Sequence, residues 1–261
     1  MEVLLLQTDI IWQSPEENRK RTGDLIDLSP HADIIILPEM FTTGFCMSPA
    51  GIAEQADTVT LDWLRSMAKA KNSAIAGSVA TEENGRYYNR LYFVKPDGSY
   101  SAYNKRHLFS FAGETKEYTA GDERVIAEYG GFRILLQVCY DLRFPVFSRN
   151  RGDYDMIIYV ANWPLSRIGA WNVLLPARAV ENQCYVAGVN RTGSDPAAGY
   201  AGGSVLIDYL GRTIASAATD REETVSGTIT IQPLNDFRRK FPALADADDF
   251  VMEQFKYHKN T

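Results

Sequence analysis

The chain of 261 residues is long enough for one domain with a sizeable hydrophobic core, or for two small domains. Its apolar content of 45% and its charged content of 23% are typical of a globular protein. Because the net charge is -6 and no block of basic residues occurs, the sequence argues against a nucleic-acid-binding protein.

The N-terminal run and the cysteines predict a cytoplasmic protein. The run MEVLLLQTDI has no preceding cationic segment and no cleavage-like site, so we expect a first strand there and not a signal peptide. No stretch approaches the ~18 continuous apolar residues of a membrane span. Cys46, Cys139 and Cys184 are far apart, which predicts free thiols in a reducing compartment. The three histidines lack metal-ligand spacing, so we expect no metal site.

Strand and helix signals alternate through the first half of the chain. The pattern predicts helices at 15–28 and 61–71, and strands at 3–7, 33–37, 73–79, 88–94 and 100–104. Ser14 is expected to cap the first helix and Pro15 to begin it. The turn sequence PDGS between the last two strands predicts a hairpin.

The second half of the chain continues the alternation. It predicts a helix at 170–182 and strands at 125–129, 132–138, 155–161, 185–190, 203–208, 212–215 and 224–231. The runs IIIL and MIIYVA are apolar at every position, which indicates strands that are buried on both faces. We therefore predict an α/β fold of mixed sheets covered by helices. It would form a single domain of residues 1–261, with 241–261 as a C-terminal arm that packs on the domain or on a partner.

Polar residues follow three of the buried strands. Glu39 follows DIIIL, Cys139 follows FRILLQV, and Asn162 follows DMIIYVA. Ligands gather in the loops beyond strand ends, so Glu39 and Cys139 can share a pocket. A carboxylate that removes the thiol proton would make Cys139 a nucleophile. A nearby cation is then required, because a carboxylate alone raises the pKa of a thiol. Lys105, at the end of YSAYN, can supply it.

Each of these residues also has an ordinary structural explanation. Taken alone, Cys139 is more commonly a packed thiol, Glu39 a solvated loop residue or a helix cap, and Lys105 a surface charge. A cysteine paired with a histidine is the commoner catalytic arrangement, and His107 is the candidate for that pairing. A redox role for Cys139 is disfavoured, because no second cysteine lies near it in the sequence.

Three motifs in combination resemble the nitrilase superfamily of carbon-nitrogen hydrolases. They are PEMFTTGF around Glu39, YNKRHLF around Lys105 and VCYDLRFP around Cys139, and they occur in that family's order. The segments GETKEYTAG, YVANWP, ARAVENQCYVAGVNR and GGSVLIDYLGR also resemble it, so the similarity extends from residue 1 to about 250. Within the superfamily, DLRFPVFSRN, YVANWP and KFPALADADDF are most similar to bacterial omega-amidases.

The resemblance implies a catalytic triad that needs neither a metal nor an organic cofactor. Glu39 would be the general base, and Cys139 would form a thioester with the acyl group. Lys105 and the backbone N–H of Tyr140 would stabilise the oxyanion. Glu114 is the best match to the family's second glutamate, with Glu117 as a neighbouring alternative.

The resemblance also implies an α-β-β-α sandwich with its helices outside, and a homodimer. The implied reaction is hydrolysis of the terminal amide of a short 2-oxo dicarboxylic acid monoamide, such as 2-oxoglutaramate or 2-oxosuccinamate, with release of ammonia. A nitrilase, a carbamoyl-amide hydrolase and a non-enzymatic binding module of the same fold are the alternatives.

The remaining candidates concern the substrate pocket. Arg143 is expected either to form a salt bridge within the fold or to bind a substrate carboxylate, with Arg167 and Arg191 as reserve candidates for that carboxylate. Asn162 and Trp163 are expected to line the pocket, and core packing is an equal alternative for Trp163.

Overall fold

Two large β-sheets and one two-stranded sheet, with helices, form the regular structure in this computed structural model, which describes residues 1–252. The strands are β1 (Glu2–Gln7), β2 (Ile34–Ile36), β3 (Glu54–Gln55), β4 (Ala74–Glu83), β5 (Arg86–Val94), β6 (Tyr100–Asn104), β7 (Ile126–Tyr129), β8 (Phe132–Val138), β9 (Met156–Ala161), β10 (Tyr185–Asn190), β11 (Thr192–Ser194), β12 (Gly199–Ala201), β13 (Val205–Ile207), β14 (Thr213–Ser216) and β15 (Glu223–Thr228). The helices are α1 (Pro15–Leu28), α2 (Val59–Lys71), α3 (Glu114–Glu117), α4 (Pro145–Ser148), α5 (Ile168–Asn182) and α6 (Ile231–Lys240).

Each of the two large sheets is parallel at its centre and antiparallel at its edges. The first has the order β15-β1-β2-β4-β5-β6, in which β1, β2 and β4 run parallel. The second has the order β14-β13-β10-β9-β8-β7, in which β8, β9 and β10 run parallel. The hairpins lie at the edges, as the predicted mixture of all-apolar runs and turn signals requires.

Alternating side chains of the first sheet pack into two different layers. Val3 and Leu5 of β1 belong to a core that they share with the second sheet. Leu4 and Leu6 pack instead with Leu64 of α2 and its neighbours. Successive side chains of a strand point to opposite faces, so this sheet lies between the helices α1 and α2 and the second sheet. Helix α5 packs on β10 and β13 of the second sheet. The α-β-β-α sandwich is therefore confirmed.

The predicted helices correspond to α1, α2 and α5, and each predicted strand has an observed counterpart. The N-cap assigned to Ser14 is wrong in one respect. Ser14 does precede α1, but its hydroxyl donates to the carbonyl of Trp12 at 3.3 Å and makes no capping hydrogen bond.

The end of the predicted last strand is also wrong. The strand ends at Thr228, and Ile231 begins α6, which the sequence analysis did not predict. Pro233 is compatible with this helix because it lies in the first turn, where a missing backbone N–H breaks no intrahelical hydrogen bond. Leu234 is fully buried and attaches α6 to the core of the two sheets.

The predicted C-terminal arm contacts its own chain through residues 241–252. The side-chain amide of Gln183 donates to the carbonyl of Phe241 at 2.9 Å. The Arg151 guanidinium lies 4.5 Å from the centre of the Phe250 ring. The rest of the arm, 253–261, lies outside the described residues, and the assignment of a single domain stays a prediction. Among the helices of residues 1–252, none combines the length and apolar character of a bilayer-spanning segment.

Candidate active site

Three strand ends from the two sheets meet at one position. Glu39 follows β2 and Lys105 follows β6 in the first sheet, and Cys139 follows β8 in the second. The side chains of Glu39 and Lys105 are fully buried and in direct contact. The structure thus brings together the three residues that the motifs singled out.

Glu39 is fixed by donors on every side. Its Oε1 accepts hydrogen bonds from Asn89 Nδ2 at 2.7 Å and from Lys105 Nζ at 3.0 Å. Its Oε2 accepts the backbone N–H of Asn162 at 2.7 Å. The side chain of Asn162 donates in addition to the backbone carbonyl of Glu39 at 2.6 Å. With both oxygens occupied, the carboxylate has a single well-defined orientation.

Lys105 lies between two carboxylates. Its ammonium donates to Glu39 at 3.0 Å and to both oxygens of Glu114 at 3.0 and 3.1 Å. The ammonium also lies 5.1 Å from the centre of the Phe45 ring. Burial by itself lowers the pKa of Lys105, but the charges of Glu114 and Glu39 outweigh it and raise the pKa above its usual value. The side chain therefore stays cationic.

Glu114 is the glutamate that accompanies Lys105. It is fully buried at the start of α3, and its Oε2 also accepts the backbone N–H of Phe109. Burial raises the pKa of Glu114 although the charge of Lys105 opposes that shift. The alternative, Glu117, is exposed. The geometry thus favours Glu114 as the partner of Lys105.

Cys139 occupies an unusual backbone conformation. Its φ of 46° lies in the left-handed region, and it begins a short 3-10 helix, Cys139–Arg143, directly from the end of β8. Burial and the adjacent Glu39 carboxylate raise the pKa of the Cys139 thiol well above its usual value, while Lys105 lowers it. The thiol therefore keeps its proton until a base removes it.

The thiol opens into a cavity of about 340 Å³. The larger side chains of its wall are mainly aromatic and apolar: Phe45, Met47, Phe109, Phe111, Tyr140, Trp163 and Tyr200. Arg143 and Arg167 supply its cationic groups. An apolar cavity with a few polar groups near a reactive residue is the usual form of a small-molecule site. Within residues 1–252, no group of three or more His, Cys, Asp or Glu side chains is arranged to hold a metal ion.

The three candidate arginines have different surroundings. Arg143 lies 5.1 Å over the ring of Trp163, and Arg167 lies 5.1 Å from the rings of both Phe109 and Phe111. Neither forms an ion pair with any residue of the described part of the chain, so the salt bridge considered for Arg143 is not observed there.

Arg191 is occupied within the fold. It is fully buried, and its guanidinium donates to Asp9 Oδ1 at 2.6 Å and to the carbonyl of Ile10 at 3.1 Å. It does not line the cavity. Its assignment as a reserve receptor for a substrate carboxylate is therefore wrong.

Asn162 and Trp163 both line the cavity and also make contacts that stabilise the fold. Asn162 lines the cavity while it holds Glu39. Trp163 also lines the cavity, and its ring packs 5.4 Å from that of Trp171, so both alternatives apply to it. Tyr140 is the second residue of the 3-10 helix, and an N–H in the first turn of a helix has no acceptor within that helix.

Sequence analysis missed Asn89. This residue lies inside β5, where its side chain donates to Glu39 at 2.7 Å and to Glu114 at 3.4 Å. Asparagine is depleted in strands, so its position in the run RYYNRLYFV was a usable signal of a buried polar function. Its neighbours could not be inferred from the sequence, because Glu39 and Glu114 lie 50 and 25 residues away.

Comparison with known proteins places this arrangement in a family. The carbon-nitrogen hydrolase family model matches residues 3–239. The omega-amidase YafV of Yersinia enterocolitica is 44% identical over 253 residues, which cover 97% of this chain and 98% of that protein. The 2-oxoglutaramate amidase of Bacillus subtilis strain 168 is 36% identical over 247 residues, which cover 92% of this chain and 95% of that protein.

Solved structures agree with the sequence comparison. XC1258 from Xanthomonas campestris, a CN-hydrolase superfamily protein with an arsenic adduct in its active site, is 43% identical and superposes with a TM-score of 0.94 over 97% of this chain and 99% of that chain. Saccharomyces cerevisiae Nit3, of the nitrilase superfamily, shares the fold at 20% identity, with a TM-score of 0.83 over 93% of this chain and 94% of that chain. Given the motifs, the buried Glu-Lys-Cys cluster and the family match, this chain belongs to the carbon-nitrogen hydrolase family.

Proposed function

We propose that this protein is an omega-amidase. It hydrolyses the terminal amide of short 2-oxo dicarboxylic acid monoamides, 2-oxoglutaramate and 2-oxosuccinamate, to the dicarboxylate and ammonia. The observation that carries the proposal is the buried cluster of Glu39, Lys105 and Glu114 beside the Cys139 thiol, at a cavity with two arginine side chains. The relatives named omega-amidase YafV and 2-oxoglutaramate amidase support the substrate class.

In the first half of the reaction, the acyl group moves to the enzyme. Glu39 takes the proton of the Cys139 thiol, and the thiolate attacks the amide carbon. The Lys105 ammonium and the N–H of Tyr140 stabilise the negative oxygen of the tetrahedral intermediate. The protonated Glu39 then gives its proton to the amide nitrogen. The carbon–nitrogen bond breaks, ammonia leaves, and a thioester on Cys139 remains.

In the second half, water releases the acid. Glu39, again a carboxylate, takes a proton from water as the oxygen attacks the thioester carbon. The same two donors stabilise the second oxyanion. The carbon–sulfur bond breaks, the Cys139 thiolate recovers the proton from Glu39, and the new carboxylic acid gives its remaining proton to solvent as the dicarboxylate leaves. The raised pKa of the Cys139 thiol suits this cycle, because the thiol is protonated at the start of each turnover and Glu39 then has a proton to remove.

The charge of Lys105 makes this arrangement stable. Two carboxylates buried close together without a cation would raise each other's pKa and favour protonation. The Lys105 ammonium, in contact with both Glu39 and Glu114, supports the ionised base. Glu114 in turn fixes the position of the ammonium through two hydrogen bonds.

Arg143 is the proposed receptor of the substrate carboxylate. It lies four residues after the nucleophile, and the ring of Trp163 supports its guanidinium from one side. A guanidinium binds a carboxylate through two parallel hydrogen bonds, which also orients the substrate. Arg167, on another part of the cavity wall, is the second candidate.

We further propose a cytoplasmic homodimer. All three cysteines are free thiols, which suits a reducing compartment. Helix α5, on the outer face of the second sheet, exposes Val173 and Val180 two turns apart. An exposed apolar strip of this kind is the proposed contact with the second subunit.

The test measures ammonia release from 2-oxosuccinamate, a neutral amide of equal length and the corresponding nitrile. The wild-type enzyme should prefer the carboxylated amide, and Cys139→Ala should be folded but inactive. Intact-mass analysis with a slow substrate should show an acyl adduct on the wild type alone. Arg143→Ala should raise KM for the carboxylated amide about tenfold or more and change the neutral amide little, because a charge-assisted pair is lost. Arg212→Ala, at an exposed ion pair, is the matched control.

A preference of the wild type for the neutral amide or the nitrile would overturn the proposed substrate while leaving the cysteine chemistry in place. Activity of Cys139→Ala close to wild type would overturn the mechanism. If Arg167→Ala, and not Arg143→Ala, produced the selective rise in KM, the carboxylate receptor would be Arg167.

A further inference from the structure

Asp141 is a fully buried carboxylate that the proposed chemistry does not use. It lies two residues after Cys139 but does not line the cavity. Its oxygens nevertheless accept hydrogen bonds from Tyr103, His107 and Val138. We call these four residues the Asp141 network. A buried carboxylate is costly unless its oxygens are hydrogen-bonded, and these hydrogen bonds offset that cost. What the carboxylate contributes at this position is the remaining question.

Two members of the network flank Lys105 in the sequence. The hydroxyl of Tyr103 donates to Asp141 Oδ2 at 2.8 Å, and it accepts the backbone N–H of Arg106 at 3.1 Å. The backbone N–H of His107 donates to Asp141 Oδ1 at 3.0 Å, and its ring Nδ1 lies 2.8 Å from the same oxygen. Tyr103 and His107 are two residues before and two residues after Lys105. Both ends of this short segment are therefore attached to one carboxylate.

The other two members, Val138 and Asp141, flank Cys139. The backbone N–H of Val138 donates to Asp141 Oδ2 at 2.9 Å, so this hydrogen bond closes the turn around Cys139 and Tyr140. The left-handed conformation of Cys139, with a φ of 46°, is unfavourable for a residue with a side chain. Such a conformation persists only where the surrounding structure holds it. The hydrogen bond from Val138 spans this turn and is one such restraint.

We propose that Asp141 is a positioning residue of the amidase reaction, which holds the segment of Lys105 and the turn of Cys139 at a fixed separation. The inference rests on the proposed function, because it assumes that Lys105 and Tyr140 stabilise the oxyanion formed at Cys139. Oxyanion donors act only at short, well-defined distances, and a displacement of about 1 Å can cost about 10²-fold in rate. Burial and the charge of Asp141 raise the pKa of Tyr103 well above its usual value, so the phenol retains the proton that it donates.

The test compares two Asp→Asn substitutions at buried carboxylates. Asp141→Asn keeps the shape of the side chain but replaces one acceptor oxygen with an NH₂ group that cannot accept. Asp155→Asn is the control. Asp155 is also buried and accepts hydrogen bonds from Arg133 and Arg238, but it precedes β9, at the end of the sheet opposite to Asn162. Folded and reactive sites are counted by iodoacetamide labelling of Cys139, and kcat is expressed per reactive site.

Asp141→Asn should lower kcat per reactive site about 10²-fold and change KM less than about threefold, because the cavity wall is unchanged. Labelling of Cys139 needs no oxyanion donor, so its rate should fall much less than kcat. Asp155→Asn should lower the melting temperature and leave kcat within about twofold of the wild type. A role in stability alone predicts a normal kcat per reactive site for both variants, and that result would overturn the proposal.

Tyr103→Phe keeps the test decisive if Asp141→Asn does not fold. It removes one hydroxyl and retains the ring that packs 6.4 Å from Phe147. We expect a fall in kcat of about threefold to tenfold at nearly unchanged KM, since the hydroxyl's hydrogen bond to the Asp141 carboxylate and the one that it accepts from the Arg106 N–H are lost. Wild-type kcat in Tyr103→Phe would contradict the positioning role. A wild-type enzyme that releases no ammonia from the amides would instead contradict the proposed function itself.

Discussion

The Cys139 thiol has two charged neighbours that act on it in opposite directions. Burial and the Glu39 carboxylate raise its pKa, and the Lys105 ammonium lowers it. The thiol and the carboxylate together hold one transferable proton. The two groups therefore titrate as a pair. Because the thiol is still protonated, the carboxylate has a proton to remove when the substrate binds.

Glu39→Gln should therefore separate thiol reactivity from turnover. The neutral amide removes the negative charge beside Cys139 while Lys105 remains, so the pKa of the thiol should fall and labelling by iodoacetamide should begin at a lower pH than in the wild type. Turnover should fall about 10²–10⁴-fold, because the general base is lost. The measurement is the labelling rate against pH, together with ammonia release, and Cys139→Ala reports the labelling of other thiols. A labelling midpoint that stays in place or moves to higher pH would show that Glu39 does not control the thiol.

At the scale of elements, the site depends on how strands end. Lys105 and Cys139 come directly after β6 and β8, and Glu39 is the third residue after β2, where the backbone leaves its sheet. The left-handed residues Met40 and Cys139 mark two of these departures, with φ values of 44° and 46°. The third, at Lys105, is held by hydrogen bonds from its N–H to Asn89 and from Gly121 to its carbonyl.

Gly121 allows the close approach that fixes the end of β6. A Cβ at this position would lie 2.2 Å from the carbonyl oxygen of Asn104, the residue before Lys105. Gly121→Ala should therefore displace the backbone at Lys105, lower stability by about 1–3 kcal/mol and reduce kcat. Thermal unfolding and ammonia release measure the two effects. Gly51→Ala, where a Cβ would meet no atom within 4 Å, is the control. If both variants had normal kcat, the tight contact at Gly121 would have no part in placing Lys105.

At the scale of the whole molecule, the part of the chain at residues 1–252 leaves the outer face of α5 uncovered. Trp171 and Leu175 on its inner face are fully buried, whereas Val173 is 68% exposed and Val180 is 53% exposed. A helix that covers a sheet needs one apolar face, and a second apolar strip on the opposite side is available for another subunit.

A double substitution, Val173→Asp with Val180→Asp, should convert the proposed dimer into monomers, because both subunits would bury unpaired aspartates in the interface. Light scattering coupled to size-exclusion chromatography would show about half the wild-type mass. Leu28→Asp, at a leucine at the end of α1 that is more exposed than either valine, should leave the mass unchanged. A monomeric wild type would contradict the dimer, and a dimeric double variant would place the interface on another face.

The sequence by itself predicted mixed sheets covered by helices, and the resemblance of its motifs to a known family predicted the layered sandwich and the triad. All-apolar runs such as IIIL specify strands buried on both faces, and PDGS specifies a hairpin, because burial and turn geometry are local properties. The three motifs led to Glu39, Lys105 and Cys139 only as an ordered combination. Individually, each residue had an ordinary structural explanation.

The tertiary structure decided everything that depends on contacts between distant segments. Asn89 and Asp141 acquire their positions beside the triad from sheet pairing, and Arg191 pairs with Asp9, 182 residues away. The sequence pattern did not predict the start of α6. Pro233 is tolerated in the first turn but would break the interior of a helix, so its effect depends on where the helix begins. Local residue patterns specify which segments are buried, whereas hydrogen bonds and charge pairs between segments depend on a register that no single segment contains.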